Sequence, residues 1–546
     1  MKCTEAIARV LKAEGVEFMT CFPLNPIIDA AAALNIRPLV TRHERVAINI
    51  ADAYSRMTSG HKIGVAAVQY GAGSENAFAG VAQAYGDSTP LLILAGATES
   101  ASLGVRPNFQ ASRNYRHITK WSETVTDPAR VVQMMQHAFA LLRSGKSGPV
   151  LLEFPSDIMA AEFPGRFDYL PQRRFSPSGD PADVHAAVDA VLSAKAPVIW
   201  AGQGVIYAEA WEELRVFAEL LQVPVMSSLN GKGAFPENHP LALGTANGFS
   251  RPKTVQHFLA KADLVFGIGT SFTRSKFITP VPEGKTILQV TLEESDISKD
   301  YPTSYGVIGD ARAVVSQMIG EVKKRLGENG RRGDGAVAAE VRVVKEEYLR
   351  EWMPRLTAEQ EPVSPYRVVW ELMQAVDPQR TVVTHDSGCP RDQLVPFYET
   401  VVPHGYVGWG KTTPLGSSLG FIMGAKLARP DWLAVNLMGE AAFGMVGMDF
   451  ETAVRNRIPI LTILMNNGVM GGYTKKQPIA TKLFGIHRLS GHYAKVAEAL
   501  GGNGERVEKT ADLKPALERA ISSVEAGNPA FLEVITAEEP DFPCGT

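Results

Sequence analysis

Short apolar runs alternate with helical periodicity along almost the whole chain, and that alternation leaves few folds open. Between residues 16 and 97 the strand-like runs VEFMTCF, RPLVT, KIGVAAV and PLLILAGA are separated by helix-like segments such as ERVAINIADAYSRMTSG and AFAGVAQAYGD. Repetition of this kind predicts βαβ units around a buried parallel sheet. The pattern breaks at 164–183 (PGRFDYLPQRRFSPSGDPAD) and at 354–365 (PRLTAEQEPVSP), where prolines and charges read as connectors. A polar stretch, GENGRRGDG, lies at 327–335. The expected fold class is α/β, with three doubly wound parallel-sheet domains at 1–165, 183–326 and 366–546.

A chain of 546 residues, 45% hydrophobic and 21% charged, has the material for three such cores. Lys plus Arg number 55 and Asp plus Glu 58, a net charge of −3. That balance lacks the basic surplus of a nucleic-acid binder and offers nothing to an anionic membrane surface. No apolar run approaches the ~20 residues that cross a bilayer. The first residues carry Glu5, Arg9, Lys12 and Glu14 where a signal peptide would be apolar. The four cysteines, Cys3, Cys21, Cys389 and Cys544, are scattered and form no CxxC pair. A reducing cytoplasm is therefore expected rather than a disulfide framework or a zinc site.

The last block carries the sharpest chemical signal. The apolar run LAVNLMG leads into Glu440, and ILTILM leads into Asn466 and Asn467. If the two runs are neighbouring parallel strands, about 4.8 Å apart, both polar ends open at the carboxyl edge of one sheet, where α/β sheets bind ligands. A carboxylate and an amide oxygen there suit a hard cation such as Mg²⁺, which leaves positions for phosphate and water. Small residues at Gly439, Ala441 and Ala442 would let backbone N–H groups approach a diphosphate. Taken alone, Glu440 also reads as a solvated loop acid and the asparagine pair as a turn.

Spacing adds a resemblance. MGEAAF at 438–443 and MNNGV at 465–469 put Glu440 and Asn467 27 positions apart. This resembles the GDG…NN hallmark of the thiamine-diphosphate (ThDP) enzymes of the acetolactate synthase, benzoylformate decarboxylase and oxalyl-CoA decarboxylase group. The resemblance implies pyrimidine-binding, central and diphosphate-binding domains. It implies that Glu440 and Asn467 ligate Mg²⁺ with their side chains and Val469 with its carbonyl. Here GEA replaces GDG, so the acid is one methylene longer and Ala441 adds a Cβ beside the diphosphate. In TRHERVAINIADAYSR the resemblance gives Glu44 the role of the carboxyl that exchanges a proton with the cofactor's aminopyrimidine. A carboxylate in a helix's first turn is also favoured by the macrodipole alone. GWGKTTPLGSSLG at 408–420 resembles the segment whose apolar side chain, here Leu415, bends the cofactor into a V. HDSGC at 385–389 brings Gly388 near the diphosphate, or is a plain turn. The loop QYGAGSEN at 69–76 would wall the pyrimidine, with Glu75 and Asn76 read slightly in favour of helix caps.

The substrate side is less defined. NFQ at 108–110 resembles the FQ pair of acetolactate synthases, which makes Gln110 a catalytic candidate. His117 is a second, as acid or base, although a lone histidine also suits a surface. Tyr70, Phe109, Lys411 and Lys475 complete the set facing the reacting carbon. Some relatives hold FAD or ADP in the central domain. GIGTSFTRSKF at 267–277 matches that pattern loosely and GQG at 202–204 does not continue as GxGxxG, so FAD is unsupported. The expected activity is acetolactate synthase-like: decarboxylation of a 2-oxo acid, with transfer or protonation of the resulting carbanion. GEAAFGMVGMDFETAVRNRIP also resembles oxalyl-CoA decarboxylase and 2-hydroxyacyl-CoA lyase, whose acyl-CoA substrate needs a groove rich in Arg and Lys. A non-catalytic binding protein on the same scaffold is a third reading. The resemblance further implies a homodimer or homotetramer with active sites at the subunit interface.

Overall fold

The computed structural model describes residues 1–331 and 335–543; Cys544 and residues 332–334 of the polar stretch lie outside the described residues. The alternating pattern folds into three parallel sheets. In the first, β1 (Phe18–Phe22), β2 (Arg37–Val40), β3 (Gly64–Val68), β4 (Leu91–Ala97), β5 (Trp121–Thr124) and β6 (Pro149–Pro155) take the order β2-β1-β3-β4-β6-β5. In the second, β7 (Pro197–Ala201), β8 (Val225–Ser228), β9 (Ala242–Ala246), β10 (Leu264–Ile268), β11 (Thr286–Thr291) and β12 (Tyr305–Ile308) take the order β12-β11-β10-β7-β8-β9. In the third, β13 (Thr381–His385), β14 (Leu433–Gly439), β15 (Leu461–Asn466), β16 (Asn503–Val507) and β17 (Ala530–Ile535) take the order β13-β14-β15-β17-β16.

The inner strands β3, β4, β6, β7 and β10 are buried at every residue. Helices cover both faces, so the strands are apolar throughout rather than alternating. In the third sheet His385 pairs with Leu437 and Gly439 with Met465. The ends of β13, β14 and β15 therefore open side by side.

Four helices matter for the site: α1 (Glu44–Met57), α2 (Ala72–Gly86), α3 (Ser417–Ala428) and α4 (Glu440–Val446). The first domain docks on the third through α1 against α3. Gly416, Gly420 and Gly424 recur every four residues, which aligns them along one face of α3. A Cβ on Gly424 would lie 2.2 Å from the Ile50 carbonyl oxygen, and one on Gly420 2.5 Å from Asn49 Cβ. Only glycine permits this backbone approach.

The connector expected at 354–365 is shorter than its composition suggests. A 21-residue helix, Ala336–Leu356, runs into it with Pro354 in its last turn. Its buried residues are Val341, Val344, Tyr348 and Leu356, and charged residues are interspersed along the rest of it. A mostly solvated helix has the composition of a linker.

Candidate active site

The carboxyl edge of the third sheet brings Glu440 and Asn467 together. β14 ends at Gly439 and α4 begins at Glu440, so the carboxylate stands at the strand-to-helix turn, 3% exposed. The Val469 N–H donates to Glu440 Oε1 at 3.0 Å and to Asn467 Oδ1 at 3.1 Å. One amide thus gathers a carboxylate oxygen and an amide oxygen. Burial raises the Glu440 carboxyl above its ordinary value, against the lowering effect of backbone N–H groups including those of Val469, Gly468 and Asn467. Asn466 turns the other way. Its Nδ2 donates to Glu533 at 2.8 Å and its Oδ1 accepts from the Gly468 N–H at 3.1 Å, so it anchors the loop.

A diphosphate fits beside this pair. A Cβ on Gly388 or Gly439 would meet no atom within 4 Å, so both glycines border open space at adjacent strand ends. Ala441 and Ala442 lie in the first turn of α4, where N–H groups have no intrahelical acceptor. The acceptors available, a carboxylate, an amide and a carbonyl, are the hard oxygens Mg²⁺ prefers. Among the described residues no group of three or more His, Cys, Asp and Glu is arranged to hold a metal.

Leu415 is half-buried against the apolar cluster that includes Val46, Trp409 and Val446. Its turn is held by Asp386, a residue that sequence reasoning does not single out. The Asp386 carboxylate is fully buried and accepts from the N–H groups of Ser387, Gly416 and Ser418 and from Ser418 Oγ at 2.6 Å. The Trp409 indole donates to the His385 carbonyl and stacks on its ring, with centroids 5.6 Å apart. These bonds join the loop after β13 to the segment 408–418, and so Gly388 to Leu415.

Glu44 opens α1, capped by His43, whose Nδ1 accepts from the Arg45 N–H at 3.1 Å. Burial lowers the pKa of His43, which keeps that nitrogen an acceptor. Glu44 is 2% exposed, and Asn76 Nδ2 donates to its Oε2 at 3.1 Å. This corrects the capping reading of Glu75 and Asn76: α2 begins earlier, at Ala72, with Gly71 as its N-cap at φ 58°. Only a residue free of Cβ strain enters there easily.

Among the described residues no hydrogen bond or ion pair joins Glu44 to Glu440, and their partners form separate sets. Gln110 precedes the short helix Ala111–Asn114, and its buried Oε1 has no hydrogen-bond partner among the described residues. His117 is exposed and has no hydrogen bond or ion pair among the described residues. Tyr70 and Lys475 are exposed too. A cavity sits at the carboxyl edge of the second sheet, lined by Lys146, Arg174 and Lys411 with Trp200 and Phe272, and by Asp296, which pairs with Lys146 at 2.7 Å. Burial brings the Lys411 amine down to about 8.

Family models match in three consecutive stretches. The N-terminal TPP binding domain of thiamine pyrophosphate enzymes covers residues 1–121, their central domain 184–318 and their C-terminal TPP binding domain 386–534. The chain belongs to the thiamine pyrophosphate enzymes. It is 27% identical to a probable acetolactate synthase large subunit of Methanococcus aeolicus, across 96% of this chain and 90% of that protein. It is 28% identical to glyoxylate carboligase of Escherichia coli O157:H7, across 100% and 95%. It is also 28% identical to sulfoacetaldehyde acetyltransferase of Alcaligenes xylosoxydans xylosoxydans, across 99% and 94%. The enzyme is a ThDP-dependent carboligase or decarboxylase. No helix among the described residues is long and apolar enough to cross a membrane.

Proposed function

We propose that the enzyme is acetolactate synthase-like, decarboxylating a 2-oxo acid with ThDP and Mg²⁺ and delivering the resulting carbanion to an acceptor carbonyl or a proton. The observation that carries this reading is the meeting of Glu440 Oε1 and Asn467 Oδ1 at the Val469 amide, beside glycines that open on free space. Glu440, Asn467 and the Val469 carbonyl would hold Mg²⁺; the cation would offset the burial that now disfavours the charged carboxyl. Gly388, Gly439, Ala441 and Ala442 would seat the diphosphate, and Leu415 would press between the two rings. ThDP, when bound, supplies the electron sink that makes a carbanion beside a carbonyl accessible.

Glu44 would hold and return a proton at Oε1, the oxygen Asn76 leaves free. Gln110, with a buried unpaired oxygen, suits the orientation of a substrate hydroxyl or carboxyl better than the exposed His117 suits acid–base work. By the resemblance, Glu44 and Glu440 would serve sites shared between two copies of the chain. The exposed apolar residues Phe78 and Tyr85 on α2, Met445 on α4 and Met448 in the turn after it support this sharing. On this reading the enzyme would work as a homodimer or homotetramer. The buried free thiols Cys3 and Cys21 suit a reducing cytoplasm.

The cavity lined by Lys146, Arg174 and Lys411 favours a second reading, an acyl-CoA substrate. The deciding experiment supplies purified enzyme, ThDP and Mg²⁺ with pyruvate, glyoxylate or a 2-hydroxyacyl-CoA, following CO₂ and acyloin together. CO₂ release with acyloin formation from a 2-oxo acid supports the first reading. Turnover of the thioester alone overturns it in favour of the second.

A further inference from the structure

The enzyme's activating carboxylate is seated by a side chain from a neighbouring helix, and the geometry points to a role for it. We infer that Asn76 is a positioning residue for Glu44: its amide holds one carboxylate oxygen and leaves the other to face the pyrimidine. The inference rests on the cofactor reading above.

Glu44 is almost wholly buried, and a buried carboxylate needs donors. The one hydrogen bond to its side chain among the described residues comes from Asn76 Nδ2, at 3.1 Å to Oε2. The sequence separates the two residues by 32 positions, so packing must bring them together. α2 lies close along α1 because Gly80 has no side chain; a Cβ there would come within 2.9 Å of Ile48 Cβ. One turn earlier on the same helix, that approach sets Asn76 level with Glu44. Another turn back, Gly73 leaves the second oxygen uncrowded, since a Cβ there would stand 3.5 Å from Oε1. The buried Tyr115 hydroxyl donates to the Ser74 carbonyl and clamps the first turn of α2, so the asparagine is carried by a fixed backbone.

The charged and titratable groups around the carboxylate leave this donor distinct. His43 Nδ1 is 3.9 Å away from Oε2 but already accepts from Arg45 N–H. Arg45 points toward the third domain, where Asp386 is its opposing charge. Tyr115 lies close enough for Glu44 to disfavour its phenolate, and its hydroxyl is spent on Ser74. Glu75 is exposed on α2. An amide donor favours the ionised carboxylate, and a carboxylate at residue 76 would oppose it.

The test uses full-length enzyme and the variants Asn76→Ala and Asn76→Asp. ThDP affinity is read by calorimetry, exchange of the cofactor's C2 proton by quenched-flow NMR, and kcat across pH. Because Asn76 is exposed on the surface of α2, both variants should fold, which a melting curve of the apoenzyme checks. The expected result for Asn76→Ala is a C2 exchange rate and kcat about tenfold lower, the scale of one charge-assisted hydrogen bond. ThDP affinity should stay within about twofold, and the acid limb of the rate profile should move to higher pH. Asn76→Asp should lower exchange further and move that limb further still. Wild-type exchange and an unmoved profile in both variants would overturn the inference. So would a loss of ThDP binding that accounts for the whole defect, because Asn76 would then hold the cofactor rather than the carboxylate. A wild-type enzyme that neither binds ThDP nor exchanges its proton would instead sink the cofactor reading.

Discussion

Glu44 and Glu440 are two buried carboxylates at the first residue of a helix, yet they are held in different ways. Glu440 is surrounded by backbone N–H groups of its own domain, with that of Val469 at 3.0 Å. Glu44 takes one side-chain donor from another helix. Backbone donors persist whatever side chains they carry, so the end around Glu440 would, on the proposed reading, accommodate the Glu of GEA in place of the Asp of GDG. A side-chain donor can be tuned or lost by one substitution. On the proposed reading, the contrast would separate an end that holds from an end that moves a proton.

The sharpest test of that contrast is Glu44→Gln. It keeps the shape of the side chain and removes its proton chemistry. We expect kcat to fall by at least about a hundredfold, the scale of a lost general acid–base group, with ThDP affinity within a few-fold. Steady-state kinetics beside calorimetry check it, and a variant that loses binding and rate together would erase the distinction between the two ends. Glu440→Ala should do the reverse. Losing a direct ligand should raise the Mg²⁺ concentration for half-activation by at least about tenfold, and saturating Mg²⁺ should restore part of kcat. A Mg²⁺ titration reads this directly; an unchanged half-activation concentration would remove Glu440 from the metal site.

The two ends are also unequally legible. Glu440 and Asn467 stand just past the ends of β14 and β15, neighbouring strands whose apolar runs mark them in the sequence, and their spacing carries the family resemblance. Asn76 reads as a cap slightly more than as part of the pyrimidine wall, because its bond to Glu44 depends on how closely two helices pack, and the cause, Gly80 against Ile48, has no local signature. Asp386 escapes notice for the same reason: its partners Gly416 and Ser418 lie about 30 residues away in a different loop. Among the strands, the buried runs β3, β4, β7 and β10 are plain. The edge strands β5, β12 and β16, with sequences WSET, YGVI and NGERV, are short and incompletely buried, so hydrophobic patterning does not mark them. The helix Ala336–Leu356 is hidden by the charged residues interspersed along it.

The seam that joins the two ends gives a smaller, purely structural effect. Gly424→Ala places a methyl group against the Ile50 carbonyl oxygen at 2.2 Å, and α1 must move off α3. We expect a loss of about 1–3 kcal/mol, the range for overpacking a tight contact, seen as a melting temperature lower by several degrees. Gly320→Ala is the matched control. It lies within the helix Ala311–Leu326, and a Cβ there meets nothing within 4 Å, so better helix propensity should leave stability equal or slightly raised. Equal melting shifts in the two variants would mean the seam is not close-packed.

The smallest effect concerns how the third domain holds the loop that carries Glu44. Asp449 is 1% exposed and accepts from the Arg42 N–H at 2.8 Å, two residues before Glu44, and from Thr452 Oγ1 at 2.8 Å. Burial pushes its carboxyl up to about 6, against the lowering effect of those two bonds and of the Arg42 charge. The unfolded value is near 3.9. A folded pKa above the unfolded one means the native state binds the proton more readily. The stabilising contribution is therefore complete below about pH 4 and is lost as pH rises through about 6. The substitution Asp449→Asn keeps an acceptor for the Arg42 N–H without the buried charge, so this variant should be more stable than the parent at pH 7 by about 1–2 kcal/mol. The advantage should shrink steadily from about pH 6 to about pH 4. Melting curves of both proteins across that window decide it. A gap that stays constant or widens toward acid would show that Asp449 is ionised and paired in the native protein, and that the loop is held by charge rather than by hydrogen bonding alone.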